Sequence, residues 1–267
     1  MTPIIKMQTD WFYTVWPFLG GGGAIVMVAI MLLTDTFRSN IAVSRWRDAV
    51  WLAWLAAPLY WIHQLEEYSL PLLGFDYNLP DMVAKNIGFP PYPECPVPMV
   101  FYPVVNIALM WFGAPLAAYL CKRNLLLGFS YWGLIFANGL VHTMGGVTQH
   151  IYNPGLLTGS ILFIPLSLWV IYALVFSGPY SGKVLTVSFV CGAVTHALLF
   201  MGYGALKAGV IGPTALVAYG VLIGFTPLIL AAIASRFFKP ELLRPVRGLP
   251  TPTPNQAMQR TAGRSHA

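Results

Sequence analysis

The sequence predicts an all-α polytopic membrane protein, a bundle of about seven transmembrane helices with the N-terminus outside and the C-terminus inside. Three observations predict it. The 267 residues are 57% hydrophobic and only 9% charged, whereas soluble domains carry about 25% charged residues. The apolar stretches run about 17–25 residues, the length that crosses a hydrocarbon core of roughly 30 Å as a helix. They show no period-2 alternation, so barrel strands are excluded and helices remain. The net charge of +6 therefore reads as basic flanks that orient membrane spans, and no nucleic-acid partner is expected.

The spans are placed at 13–33, 48–68, 99–121, 125–148, 155–176, 184–206 and 210–237. The first starts after Lys6 and Asp10 and lacks a small-residue cleavage site, so it reads as a retained helix rather than a signal peptide. Its Gly20–Gly23 run suits close helix contact or local bending. Five spans contain proline (Pro17, Pro58, Pro115, Pro165, Pro227), which membrane helices tolerate when neighbours re-satisfy the freed carbonyls. Charge sets the orientation. With the N-terminus outside, twelve of the fifteen basic residues fall on inner segments, among them Arg38, Arg45, Arg47, Lys122, Arg123 and Lys183. Only Lys6, Lys85 and Lys207 fall outside. The expected location is the bacterial inner membrane, crossed several times, with membrane lipids as neighbours. The cysteines, Cys95, Cys121 and Cys191, are odd in number and lack CxxC spacing, so neither a disulfide framework nor a zinc ribbon is expected.

Residues 1–239 are read as the transmembrane domain. The outer segment 69–98 holds seven prolines together with Phe75, Tyr77, Phe89 and Tyr92, and reads as an ordered loop capping the bundle. The tail 240–267, rich in Pro, Thr, Arg and Gln, reads as disordered and cytoplasmic. No internal repeat is evident, which gives little support to a transporter built from inverted halves.

Ionisable residues inside spans cost about 2.5–3.5 kcal/mol each at the centre on insertion scales, and mark functional sites by default. Here they cluster. The second span ends in Tyr60-Trp61-Ile62-His63-Gln64-Leu65-Glu66-Glu67-Tyr68. His63 lies three and four residues before the two glutamates, on one helix face. A His and a Glu at that spacing can supply two metal ligands, or one Glu can bind while the other moves protons. Two adjacent carboxylates in a low-dielectric site need a cation or a proton between them. Asn138 and His142 sit four apart in the fourth span, and His196 follows Thr195 in the sixth. Even-numbered spans run the same way, so the three groups share a depth in the outer half, beneath the proline-rich loop. Each also has a plain structural reading: interhelical hydrogen bonding for the second-span group, satisfied buried histidines for His142 and His196, interfacial residues for Gln149 and His150, and a turn for Asn153-Pro154-Gly155.

His63-Gln64-Leu65-Glu66-Glu67 resembles the signature of the HXXEE-motif membrane proteins. Asn138 and His142 resemble that family's second element. Tyr152-Asn153-Pro154-Gly155 is similar to its Tyr-Ser-Pro-Gly turn, with Asn in place of Ser, and His196 to its later helical histidine. The resemblance spans about 50–206. It implies an enzyme with a polar intramembrane centre and names no substrate.

The residues support a membrane-embedded metal-dependent enzyme, with zinc favoured over iron, hydrolysing a hydrophobic or lipid-like small molecule. His63, Glu67, His142 and His196 are the candidate metal ligands. Glu66, Glu67 and Asn138 are the candidate catalytic groups, the glutamate not bound to metal acting as general base and Asn138 orienting substrate or stabilising an oxyanion. The alternatives are a di-iron oxidoreductase, metal-free acid/base catalysis, and a non-catalytic transporter, proton relay or sensor. Few polar residues occupy the inner halves of these spans, which argues against a through-route.

Overall fold

The computed structural model describes residues 11–69 and 79–238. The expectations for 70–78 and for the tail from Pro240 onward lie outside these residues. The described chain forms eight helices and no strand: α1 (Trp11–Leu33), α2 (Ala49–Tyr68), α3 (Leu79–Ile87), α4 (Phe101–Leu120), α5 (Leu125–Gln149), α6 (Leu156–Phe176), α7 (Gly182–Lys207) and α8 (Pro213–Phe238). Every span read from the sequence is a helix within a few residues of its expected ends. Six of them are long and apolar enough to cross a membrane, and the chain is a multi-pass integral membrane protein.

The exception is α2, which falls below that apolarity although its 20 residues give a rise of about 30 Å at 1.5 Å per residue. Its last turns carry His63, Gln64, Glu66 and Glu67. It tolerates them because it sits inside the bundle: it packs on α1, α4, α5 and α6, and Val50–Pro58 and His63–Tyr68 are almost wholly buried. Lipid never meets its polar face, so the cost of polar groups in hydrocarbon is avoided by protein partners. α5 is the other central helix, touching α2, α4, α6, α7 and α8.

Local chemistry fixes the ends. Asp48 caps α2, its carboxylate accepting from the backbone N–H groups of Val50 (2.9 Å) and Trp51 (3.1 Å). The same carboxylate accepts from the N–H groups of Ser39 (2.7 Å) and Asn40 (2.8 Å), folding the connecting loop onto the helix. Arg45 donates to the Met31 carbonyl (2.7 Å) at the end of α1, a cation placed where a helix exposes its carbonyls. Asn124 caps α5 through Leu126 N–H. Two prolines open wider turns upstream of themselves. A proline ring clashes with the carbonyl four residues back, Trp111 for Pro115 and Ile161 for Pro165, and π-helical turns at Ile107–Gly113 and Gly159–Phe163 contain those positions. Pro213 is the first residue of α8, three residues later than the expected start, because proline fits a first turn where its missing N–H has no partner to lose.

The proline-rich segment differs from a plain loop. Its described part opens with α3, whose apolar face (Leu79, Val83, Ala84, Ile87) packs on a second cluster built from Trp16, Tyr68, Phe101, Tyr203 and Leu216. Lys207 at the end of α7 donates to the Ile87 carbonyl and lies over the Phe89 ring, tying α3 to α7. All three cysteines are buried and unpaired.

Candidate functional site

The C-terminal halves of α2 and α5 and the start of α6 meet around one polar cluster. Nε2 of His63 lies 3.2 Å and Nε2 of His142 lies 3.0 Å from the same atom, Oε1 of Glu67. All three side chains are buried. Among the described residues, His63, Glu67 and His142 are the group whose ligand atoms converge, all within 4.8 Å of one another.

The opposite nitrogen of each imidazole is held by a neutral acceptor. Asn153 Nδ2 donates to the His142 carbonyl (2.8 Å), which turns Asn153 Oδ1 toward His142 Nδ1 at 3.0 Å. An amide oxygen only accepts, so His142 Nδ1 carries its proton. Thr158 spends its hydroxyl proton on Glu66 Oε2. Its lone pairs therefore face His63 Nδ1 at 2.6 Å, and that nitrogen too is the donor. A neutral ring so held directs its Nε2 lone pair at the carboxylate oxygen, and a protonated one donates to it. Three lone pairs converging in a buried space repel unless protons or a cation lie among them. Glu67 Oε1 is the polar atom that faces Nε2 of both rings. His63 also packs against the rings of Tyr60 and Phe163, with centroids at 5.3 and 4.3 Å.

Glu66 faces the other way. Its carboxylate accepts from Tyr152 Oη (2.6 Å), Leu157 N–H (2.9 Å), Thr158 N–H (2.7 Å) and the Thr158 hydroxyl. It thus satisfies the first N–H groups of α6, which have no partner within the helix, at the end of the helix dipole that favours an anion. The two glutamates are consecutive, about 100° apart around a helix axis, so they serve different walls. Glu66 joins α2 to α6. Glu67 joins α2 to α5.

Gly155 sits directly over the pair of imidazoles. Its φ of +90° is a glycine conformation, and a Cβ there would stand 2.7 Å from His63 Cε1 and 2.8 Å from His142 Cε1. The turn before α6 must be this tight to bring Asn153 to His142 and Thr158 to His63 at once.

Glu67 and His142 also form part of the wall of a cavity of about 280 Å³, near the lower end of the range for small-molecule sites, about 300–1,000 Å³. Asn138, His196, Tyr68, Tyr102 and Tyr203 line it too, with apolar residues of α3, α4, α5, α7 and α8 elsewhere. His196 Nδ1 donates to the Gly192 carbonyl (2.9 Å), leaving Nε2 as its lone-pair atom. His196 shares the cavity but does not join the three converging ligands. Asn138 lies one turn before His142, with its Oδ1 buried and unpartnered. Gln64 is occupied between α2 and α4, donating to Asn106 Oδ1 (3.2 Å) and accepting from Trp111 Nε1 (3.1 Å). His150 is exposed at the end of α5 with φ 53°.

Tyr152, Asn153, Gly155 and Thr158 are the site residues that side-chain chemistry in the sequence did not single out. The first three lie in the turn that resembles the family motif. Thr158 carried no signal beyond its place one turn into α6.

Residues 54–170 match the family model described as a protein of unknown function with HXXEE motif. The resemblance read from His63-Gln64-Leu65-Glu66-Glu67 is shown over those residues. They include every member of the cluster from His63 to Thr158, whereas His196 falls beyond them. No curated protein and no solved structure matches the chain.

Proposed function

We propose that this HXXEE-like membrane protein is a metal-dependent enzyme, a hydrolase acting on a hydrophobic or lipid-like molecule in the cavity beside Glu67. One observation carries the reading: two imidazoles pinned at Nδ1 and one carboxylate converge their ligand atoms within 4.8 Å in a buried space. Histidines that bind metal almost always donate the other ring N–H to an oxygen acceptor, which sets tautomer and ring orientation. Here Thr158 and Asn153 are those acceptors.

His63, His142 and Glu67 would hold a divalent cation. Two imidazole nitrogens and one carboxylate oxygen suit zinc, with iron the alternative, and three protein ligands leave a position open as catalytic zinc sites do. A bound zinc ion would supply Lewis acidity toward a carbonyl or phosphoryl oxygen and toward water. Glu66 is a positioning residue that orients His63 through Thr158. His196, with a free Nε2 on the cavity wall, is placed to accept or return a proton, and Asn138 to orient the polar end of the substrate. The basic-residue asymmetry supports an N-out orientation in the bacterial inner membrane, with the site toward the outer face.

Elemental analysis of detergent-purified protein tests the reading. We expect about one zinc or iron per chain, and loss of it in His63→Ala and His142→Ala. Metal-free protein after purification and reconstitution with zinc would refute it and leave a cluster that shares protons, the relay alternative.

A further inference from the structure

The route into the cavity is written in how α5 and α7 cross. The two helices run in the same direction and touch backbone to backbone at Gly133 and Gly192. A Cβ on Gly133 would meet the Ser188 carbonyl oxygen at 1.8 Å, and one on Gly192 the Gly133 carbonyl oxygen at 2.3 Å. Eight residues beyond the crossing on each helix, about 12 Å at 1.5 Å per residue, lie Val141 and Phe200. Both line the cavity, yet Val141 is 46% and Phe200 53% exposed. The cavity therefore reaches the outer surface of the bundle between α5 and α7, on a face made of membrane-spanning helices.

That face is apolar. Leu140, Met144 and Val147 on α5 and Phe189, Val190 and Met201 on α7 are all exposed, and in a spanning helix such side chains meet lipid tails. Toward the interior the polarity rises, ending at Glu67, His142 and His196. Above, the cavity is roofed by α3, which Lys207 ties to α7. The wall thus grades from hydrocarbon-like at the α5–α7 mouth to ionisable at its inner end.

We infer that the ligand is a bilayer amphiphile whose acyl chain passes sideways from the membrane between Val141 and Phe200, bringing its polar group to Glu67 and His142. The inference deepens the proposed function by naming the substrate class and its path. It does not depend on a bound ion.

The experiment uses the full chain in phosphatidylcholine vesicles containing a trace of phosphatidylcholine with a diazirine on one acyl chain. After illumination, labelled positions are mapped by mass spectrometry. Val105 and Ile223 line the cavity and are only 7% and 2% exposed, whereas Leu222 on the same helix as Ile223 is 67% exposed. We expect label on Val105 and Ile223 as well as on Leu222. In Val141→Trp/Phe200→Trp, label at Val105 and Ile223 should fall about tenfold, the factor that about 1.4 kcal/mol of lost occupancy gives, while Leu222 keeps its label as evidence of folding and insertion. Should the tryptophan pair fail to insert, Val141→Ala/Phe200→Ala widens the mouth and should label the two interior positions more strongly than the native chain does. Interior positions that stay unlabelled in the native chain, or that ignore both pairs of substitutions, would overturn the inference. Metal content measured on the same native preparation separates the two readings: interior label in a chain that holds neither zinc nor iron would refute the metal site and leave the lateral route standing.

Discussion

Thr158 is the residue on which the site's orientation turns. Its hydroxyl stands between His63 Nδ1 and Glu66, and its backbone N–H holds the same carboxylate. Replacing it by valine keeps shape and helix but removes the acceptor for His63. Loss of an outer partner of a metal-binding histidine typically weakens metal affinity about 10–100-fold. We expect Thr158→Val to lose metal on dialysis against a weak chelator under conditions where the native chain and Thr158→Ser retain it. Equal retention in all three would show that His63 is oriented by the Tyr60 and Phe163 rings alone. The sequence made His63, Glu67 and His142 visible because charge and imidazole in an apolar span are conspicuous. Thr158 and Asn153 were not conspicuous, since a hydroxyl and an amide near a helix start are ordinary capping residues. Glu66 and Glu67 looked equivalent in the sequence, and only the position of α6 assigns them to different partners.

At the scale of elements, α2 depends on its first turn as much as on its last. Burial alone would push the Asp48 carboxyl upward, but the backbone N–H groups of Asn40 and Trp51 and the Ser39 side chain and N–H outweigh it and hold it below its ordinary value. A carboxyl lowered by folding adds stability above its unfolded pKa, about 3.9, and that contribution is lost as pH falls through the lower folded value. Asn can still cap the helix through its one oxygen, but its NH2 group cannot accept from the Ser39 and Asn40 N–H groups as Oδ2 does, a loss of about 1–3 kcal/mol. Asp48→Asn should therefore melt below the native chain in detergent at pH 7, with the gap narrowing as the pH drops from about 5 toward 3. A gap that stays constant with pH would mean that shape rather than charge holds the cap. The helices themselves were legible because each apolar run has a length set by the bilayer. Their ends were less so. Pro213 starts α8 later than hydropathy suggests, and α3 lies in a segment whose seven prolines read as loop, although its own stretch, Leu79–Ile87, holds proline only at its second position.

Across the whole molecule, the two helices that meet the most neighbours, α2 and α5, are those that carry the cluster. A helix ringed by others can keep charge away from lipid, so the least apolar span became the central one. The distribution of basic residues gives the molecule its expected direction, with the N-terminus and the α3 end of the cavity outside. Cysteine replacements tested with a membrane-impermeant thiol reagent on intact cells check this. A cysteine at Lys85 should react and one at Arg123 should not, and the reverse pattern would invert the topology. The native Cys95, Cys121 and Cys191 are buried and serve as the background.

The sequence by itself determined the class of protein, the place and approximate length of its long apolar helices, and the identity of the costly residues, because each follows from what a segment exchanges with lipid and from nothing farther along the chain. Which of those residues meet was decided only by the tertiary structure. His63 and Thr158 are 95 positions apart, and His196 shares the cavity without joining the triad. Contact between helices depends on how their surfaces interlock, on a glycine at a crossing or a tight turn at Gly155, and a linear pattern of polarity carries no record of the rotation that such packing selects.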